Sequence, residues 1–163
     1  MKWFKSIFYL FVLFTTLTAL AGSYEDFFVA VKRNDGGSVT ELLQRGFDPN
    51  TPDPSGNIAL VLALQAENFA VAEALMARPG LNVNALNQSG ESALMMAALR
   101  GNLAWCERLL ARGASINKPG WTALHYAAAG PEPKVVKLLL DRGAVVDAES
   151  PDKTTPLMMA ARY

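Results

Sequence analysis

Cysteine and histidine are almost absent from this chain of 163 residues, which contains one of each. A single cysteine cannot form an intramolecular disulfide or supply a zinc site built from several thiolates. A single histidine likewise excludes a histidine-rich metal centre. The sequence also has no glycine-rich phosphate loop and no Gly-x-Ser-x-Gly motif. We therefore predict that the chain is not an enzyme and binds no cofactor and no metal.

The chain has no excess of charge of either sign, because it contains 15 basic and 15 acidic residues. Residues 1–21 contain Lys2, Lys5 and no acidic residue, so without them the count is 13 basic against 15 acidic. A chain without net positive charge has no global field that attracts phosphates. The sequence therefore predicts no nucleic-acid partner, and its 51% hydrophobic residues indicate one folded domain.

The N-terminus has the three parts of a secretory signal peptide. Two lysines precede an apolar run from Ile7 to about Ala21, and the small residues Ala19 and Ala21 suit a signal peptidase. We predict that residues 1–21 are a signal peptide, and that the mature chain is periplasmic or secreted and associates with no membrane after cleavage. The alternative is an uncleaved membrane anchor, although a span needs about 20 apolar residues and this run is shorter.

An internal repeat is the most informative feature of the sequence. Four leucines recur at intervals of 34, 30 and 33 residues, and each is followed three residues later by an alanine. The leucines are Leu60, Leu94, Leu124 and Leu157, and the alanines are Ala63, Ala97, Ala127 and Ala160. A further leucine lies 15 residues after each of the first three, followed by glycine and then by Asn or Asp. A degenerate first unit fits the same frame around Phe27 and Ala30.

Each unit predicts two short helices joined by a turn. The Leu-x-x-Ala segment opens a first helix whose small alanines allow a neighbouring helix to approach closely. The second helix buries one face, which Leu103, Cys106 and Leu109 form in the third unit. A glycine such as Gly113 suits the left-handed position that ends this helix.

This pattern resembles the ankyrin repeat. The resemblance is carried by Trp-Thr-Ala-Leu-His-Tyr-Ala-Ala at 121–128, by residues 135–144, and by Thr-Pro-Leu-Met-Met-Ala-Ala at 155–161. It implies an all-α solenoid of helix-turn-helix units with projecting β-turn fingers. Residues 22–163 would then form about four repeats plus a partial fifth. The approximate units are 24–52, 53–86, 87–118, 119–149 and an incomplete 150–163.

Four features depart from the pattern. Gly90 lies six residues after Asn84, but Gly120 lies three after Asn117, so the fourth finger is shortened. Arg-Pro-Gly at 78–80 carries one extra residue between helix and glycine. The fingers carry Gly56, Gly90 and Gly120, but Lys153 takes that place in the last unit. The sequence Gly-Pro-Glu-Pro at 130–133 replaces the usual turn between the two helices of the fourth unit, so we expect a locally irregular stack. The fifth unit stops inside its first helix. This predicts either a fragment of a longer protein or an end that is covered by a partner or by another copy.

The residues whose side chains could take part in catalysis or metal binding are all interpreted as structural. His125 stands where the ankyrin pattern prefers histidine, and the resemblance implies that its ring bonds the backbone of an adjoining finger. Cys106 occupies an apolar position of a second helix, so we predict a buried, unreactive thiol. The methionine pairs at 95–96 and 158–159 are interpreted as core filler rather than as a soft-metal site.

The resemblance places recognition on the finger tips and on the exposed side of the first helices. The predicted partner-binding residues are Ser55, Asn57, Gln65, Gln88, Ser89, Glu91, Leu99, Arg100 and Trp121. Trp121 is a large side chain at a position that is polar in the preceding units. It is either a binding anchor or a packing residue across a shortened finger, and both interpretations remain open. The planar guanidinium of Arg100 suits a carboxylate on a partner.

The predicted function is a non-catalytic protein-binding module in the periplasm. Its concave face and finger tips would bind another protein, either an enzyme that it stabilises or a toxin that it neutralises. One alternative is homotypic assembly through the open C-terminal repeat, although we expect a monomer or weak self-association. Another is a secreted effector that acts on a host protein.

Overall fold

Paired short helices make up the computed structural model, which describes residues 22–162. Helix α1 includes residues 22–32. The helices that follow are α2 (Gly36–Gln44), α3 (Ala59–Gln65), α4 (Phe69–Met76), α5 (Ala93–Leu99), α6 (Leu103–Ala111), α7 (Ala123–Ala129), α8 (Pro133–Asp141) and α9 (Pro156–Ala160). Within this range, β-type hydrogen bonding is confined to two isolated bridges at the fingers. The predicted all-α ankyrin-type solenoid is confirmed.

Two layers of helices stack along the chain. The inner helices α3, α5, α7 and α9 pack side by side, and α4, α6 and α8 pack behind the inner helices of their own units. The predicted signal peptide lies outside the described residues. Within residues 22–162, every helix is too short or too polar to cross a bilayer.

The repeated leucines and alanines form the centre of the core. Leu60, Leu94 and Leu124 of the inner helices are at most 2% exposed, and the alanines three residues later are equally buried. The repeated leucines of the outer helices, Leu75, Leu109 and Leu139, are fully buried. Because an alanine fills little space, adjacent inner helices approach closely, as the sequence pattern predicts.

Most of the glycines expected in fingers and at helix ends have left-handed backbone, with positive φ. The finger of the fifth unit keeps this conformation without glycine, since Lys153 has φ 64°. The Lys153 ammonium is held 2.6 Å from the Glu149 carboxylate. Gly80 is an exception to the helix-ending pattern: Gly113 has φ 87°, whereas Gly80 lacks positive φ. The extra residue in Arg-Pro-Gly at 78–80 accounts for this difference.

Asparagine side chains link the loops of successive units. The Nδ2 of Asn84 donates to the carbonyl of Gly113 at 3.0 Å, and its Oδ1 accepts from the amide of Ser115 at 2.7 Å. Asn50 and Asn117 make the same pair of bonds one unit earlier and one unit later. A carboxamide is needed for this link, because it must donate and accept at once.

Replacing Asn84 by aspartate should therefore break the link at one end. The carboxylate still accepts from the Ser115 amide, but it repels the Gly113 carbonyl to which Asn84 donates. We expect Asn84→Asp to lower the free energy of unfolding by about 1–2 kcal/mol, measured by urea denaturation at pH 7. Asp147→Asn is the matched control, since Asp147 holds the equivalent position but bridges no further unit within the described residues. An equal effect of both changes would contradict this account.

Arginines near the ends of the outer helices link units at the back of the stack. Arg78 Nη2 donates to the carbonyl of Leu43 at 2.9 Å. Arg112 donates from both terminal nitrogens, to the carbonyls of Met76 and Arg78. These arginines therefore tie each outer helix to the backbone at the end of the preceding one.

Candidate functional site

A hollow of about 330 Å³ lies on the face that the fingers and inner helices form, the concave face of this architecture. Its walls are Leu99 at the end of α5, Trp121 beside the fourth finger, Tyr126 and Ala129 of α7, and Met159 of α9. The structure thus brings together two of the predicted binding residues, Leu99 and Trp121. The hollow joins side chains from three consecutive units.

The hollow arises from a small residue in a row of larger ones. Gln65, Leu99, Ala129 and Arg162 each follow the repeated leucine of their unit by five residues. Ala129 is the smallest of the four and lies between Leu99 and Arg162 in this row. The next residue in its unit is Gly130, where the preceding unit has Arg100. The concave surface is therefore recessed at α7 relative to its neighbours.

Trp121 makes the packing contact that the sequence left open and still exposes part of its ring. Its ring packs edge-to-face against His125, with the centroids 5.2 Å apart and the planes at 71°. Edge-to-face geometry is favourable for aromatic rings. The side chain is only half-buried, and its remaining surface lines the hollow. Packing on His125 therefore fixes an aromatic wall that solvent and partners can reach.

Glu91 is largely committed to bonds within the protein. Its Oε1 accepts from the Tyr126 hydroxyl at 2.7 Å, and its Oε2 accepts from Asn87 Nδ2 at 2.8 Å. Burial, together with the hydrogen bond to this carboxylate, raises the pKa of Tyr126. Glu91 thus orients an aromatic wall of the hollow, whatever contact it makes with a partner.

Arg100 is positioned by the unit before it. Its Nε donates to the backbone carbonyl of Gln65 at 2.9 Å, so the two predicted binding residues lie side by side. Within residues 22–162 the two terminal nitrogens have no protein acceptor, and Arg100 forms no ion pair. The guanidinium is therefore held in place while its bidentate edge faces solvent.

The other predicted binding residues lie on two neighbouring fingers. A side chain added at Gly56 would place its Cβ 3.1 Å from Gln88, so the second and third fingers touch. Ser55, Gln88 and Ser89 are exposed at the tips, whereas Asn57 is half-buried. These four residues extend the concave face away from the hollow.

Asn57 shapes its finger through Asp53. Its amide and side chain both bond the Asp53 carboxylate, at 2.8 and 3.0 Å, and the amide of Ser55 donates at 2.9 Å. Burial alone would raise the pKa of Asp53, but these hydrogen bonds outweigh it and lower the pKa below its usual value. Asn57 therefore contributes to finger geometry as well as to the surface.

His125 makes the structural bonds that the resemblance implies. Its ring is fully buried. The Nε2 lies 3.0 Å from the Thr154 carbonyl of the next finger, to which it must donate. The Nδ1 then accepts from the Thr122 amide at 3.2 Å and contacts the Thr122 hydroxyl at 2.9 Å. Both nitrogens are committed, so the ring has none to offer a substrate.

Cys106 is buried in α6, as predicted. Burial, helped by the charge of Glu107, raises the pKa of the thiol to about 12. The reactive thiolate is therefore scarce at neutral pH. At pH 8 we expect Ellman's reagent to leave the folded chain unlabelled over minutes. In about 8 M urea, which unfolds the chain, the reagent should label one thiol per chain. Rapid labelling of the folded chain would contradict the assignment of Cys106 as a core residue.

The two methionine pairs differ in their surroundings. Met95 and Met96 are core residues, whereas Met158 is 54% exposed, so its interpretation as core filler was wrong. Within the described part of the chain, no further helix packs over α9 to cover Met158. Residues 22–162 contain no group of three or more His, Cys, Asp or Glu side chains that could hold a metal ion.

Tyr126, Ala129 and Met159 were missed by the sequence analysis. The repeat frame contains the signal, because Tyr126 and Met159 each lie two residues after the repeated leucine of their unit. Ala129 lies in register with Leu99 and Gln65, which were both selected. A small residue attracts no notice as a binding residue, yet here it makes the space.

The comparison with protein families gives one match along most of the chain. The model described as ankyrin repeats (3 copies) matches residues 27–119 and 116–163. A search of the curated proteins gives no match. Since the two matched segments together cover well over half of the sequence, and the structure has the corresponding helix pairs and fingers, the chain belongs to the ankyrin-repeat family.

Proposed function

We propose that this chain is an exported, non-catalytic module that binds a protein partner through its concave face. Ankyrin repeats are in general protein–protein interaction modules. The partner would be an enzyme that the module stabilises or a toxin that it neutralises in the periplasm. The observation that carries the proposal is the hollow on the concave face, together with the solvent-facing guanidinium edge of Arg100, the residue after Leu99.

The chemistry of this surface fits a binding role. Aromatic residues and arginine contribute most often to binding hot spots, and apolar contacts gain most where water is excluded. Trp121 and Tyr126 are both held in place by internal contacts. A surface that is already ordered loses little conformational entropy when a partner binds.

Export is supported by the leader alone. Lys2, Lys5 and the apolar run that ends in Ala-Leu-Ala at 19–21 have the pattern that a signal peptidase cleaves. N-terminal sequencing of the protein from a periplasmic fraction should begin at Gly22. Recovery of the intact N-terminus in the cytoplasm would contradict this part of the proposal.

Loss of binding in a concave-face variant is the test of function. We expect Trp121→Ala combined with Arg100→Ala to weaken capture of the partner from the envelope fraction at least 100-fold, which corresponds to about 2.7 kcal/mol. The matched control is Glu107→Ala combined with Lys134→Ala, which removes two exposed charges from the outer helices. Circular dichroism should show equal helix content in all three proteins. Equal capture by the concave variant would contradict the proposal.

Self-association is the second candidate, and one observation favours it. A hollow of about 340 Å³ between α7, α8 and α9 is lined largely by apolar side chains. Leu157 is 75% exposed there, and Val146 is 58% exposed. If copies associate through this end, sedimentation velocity of the wild type should show a mass that rises with concentration, and Leu157→Glu should abolish that rise. A constant monomer mass would reject the candidate.

A further inference from the structure

We propose that the concave hollow takes one large apolar side chain from a partner segment, while Arg100 binds a carboxylate close to it on the same segment. The carboxylate belongs to an Asp or Glu one or two residues away from the apolar side chain. This inference rests on the proposed function and specifies the chemistry of the partner.

The shape and the lining of the hollow favour an apolar side chain as its occupant. Leu99, Ala129 and Met159 are apolar, and the two aromatic walls present ring surface. The Tyr126 hydroxyl already donates its proton to Glu91, so it has no proton to donate to a polar ligand. An apolar side chain that enters this space loses contact with water and gains contacts on several sides, at about 25 cal/mol for each Å² of apolar area buried.

Arg100 selects the neighbouring charge. Three other arginines use their terminal nitrogens inside the protein: Arg78 and Arg112 bond backbone carbonyls, and Arg108 pairs with Glu73. Arg100 is anchored through Nε, which leaves its terminal nitrogens facing solvent. A guanidinium fixed in this way loses little freedom on pairing, and its geometry matches a carboxylate.

The local electrostatics also favour an acidic segment. Glu91 is the acidic residue whose side chain contacts a wall of the hollow, and both of its oxygens accept internal hydrogen bonds. Arg162 occupies the row position on the other side of Ala129. Cations that follow α5 and α9, the inner helices on either side of α7, favour a partner with negative charge next to its apolar anchor.

Sequence spacing limits the separation of the two groups. Leu99 lines the hollow, and the guanidinium of the next residue, Arg100, reaches back to the carbonyl of Gln65 in the preceding unit. An extended segment rises about 3.3 Å per residue. On a segment that crosses α5 from the hollow, an Asp or Glu one or two residues from the anchor therefore extends its carboxylate toward this guanidinium.

The experiment uses a displayed library of random twelve-residue peptides, selected on the immobilised full chain. Enriched peptides are synthesised and titrated by fluorescence anisotropy against wild type, Ala129→Leu and Arg100→Gln. Ala129→Leu fills the hollow with the residue that Leu99 supplies at the same position of the preceding unit, so the fold accommodates it. Ala104→Leu is the matched control, because it makes the same change at an exposed position of the outer helix α6.

We expect the enriched peptides to share a Phe, Trp or Leu with Asp or Glu one or two positions away. Ala129→Leu should weaken their binding at least tenfold. Arg100→Gln should weaken it fivefold or more and remove the advantage over peptides whose acid is replaced by its amide. Ala104→Leu should bind within twofold of wild type.

Three results would overturn the inference. Enriched peptides without this pair of groups, full binding to Ala129→Leu, or the absence of any enriched peptide would each contradict it. If peptides bind Ala129→Leu normally but lose affinity for Trp121→Ala combined with Gln88→Ala, the concave face still binds and only the hollow is wrongly assigned. If neither variant affects binding, both the inference and the proposed function are wrong for those peptides.

Discussion

His125→Ala is expected to lower the free energy of unfolding by about 4 kcal/mol. The change removes a fully buried ring and leaves the Thr122 amide and the Thr154 carbonyl without their partners. It also removes the contact that orients Trp121. Because each unit contacts only its neighbours, the finger at 150–155 and helix α9 should detach before the rest. Urea denaturation combined with hydrogen exchange of amides 150–162 measures both effects.

His125→Met is the matched variant for this prediction. Met95 holds the equivalent position in the third unit, where its sulfur lies 3.3 Å from the Ser92 amide. Methionine at 125 therefore retains an acceptor and most of the volume but cannot donate to the Thr154 carbonyl. We expect a loss of about 1–2 kcal/mol, clearly smaller than for alanine. If both variants were as stable as the wild type, His125 would not link the two units.

Gly130→Ala should destabilise the chain by about 2–3 kcal/mol, because the added methyl group meets fixed backbone. A Cβ at this position would lie 2.8 Å from the Ala98 carbonyl oxygen and 3.0 Å from that of Leu99. Relief requires α7 to move away from the end of α5, which distorts the hollow between Leu99 and Ala129. The measurement is urea denaturation at pH 7, followed by titration with the selected peptides, whose affinity should also fall.

Gly80→Ala is the control for crowding. Gly80 has no atom within 4 Å of an added Cβ and lacks positive φ. Its replacement by alanine should leave stability unchanged or raise it by about 0.4–1 kcal/mol through the unfolded chain. Equal destabilisation by the two substitutions would show that the loss at Gly130 is not caused by its contact with α5.

The helix pairs and the core were predictable because they repeat. A leucine and an alanine three residues apart recur four times, and the first three pairs have equivalent neighbours in the stack and are buried. The sequence therefore predicted their burial without any knowledge of their contacts, whereas Leu157 of the fourth pair is 75% exposed. His125 was interpretable for a different reason, since its role came with the resemblance to the ankyrin repeat.

Features that depend on differences between units were harder to predict. The hollow exists because Ala129 lies between larger residues, and its depth depends on how closely α5, α7 and α9 pack. Glu91 was selected as a binding residue, but its carboxylate is held by Tyr126 of the next unit. Arg78 and Arg112 resemble ordinary helix-terminal cations until the preceding outer helix is placed beside them. Side-chain contacts one unit apart determine all three outcomes.

Position-specific crosslinking is the most direct test of the claim that the concave face binds a partner protein. A photoreactive phenylalanine derivative is introduced at Leu99 in one strain and at Glu107, on the outer helix α6, in another. After illumination of intact cells, we expect Leu99 to yield one discrete crosslinked species with a second protein and Glu107 to yield none. Crosslinking from Glu107 alone, or only between copies of this chain at both positions, would contradict the claim.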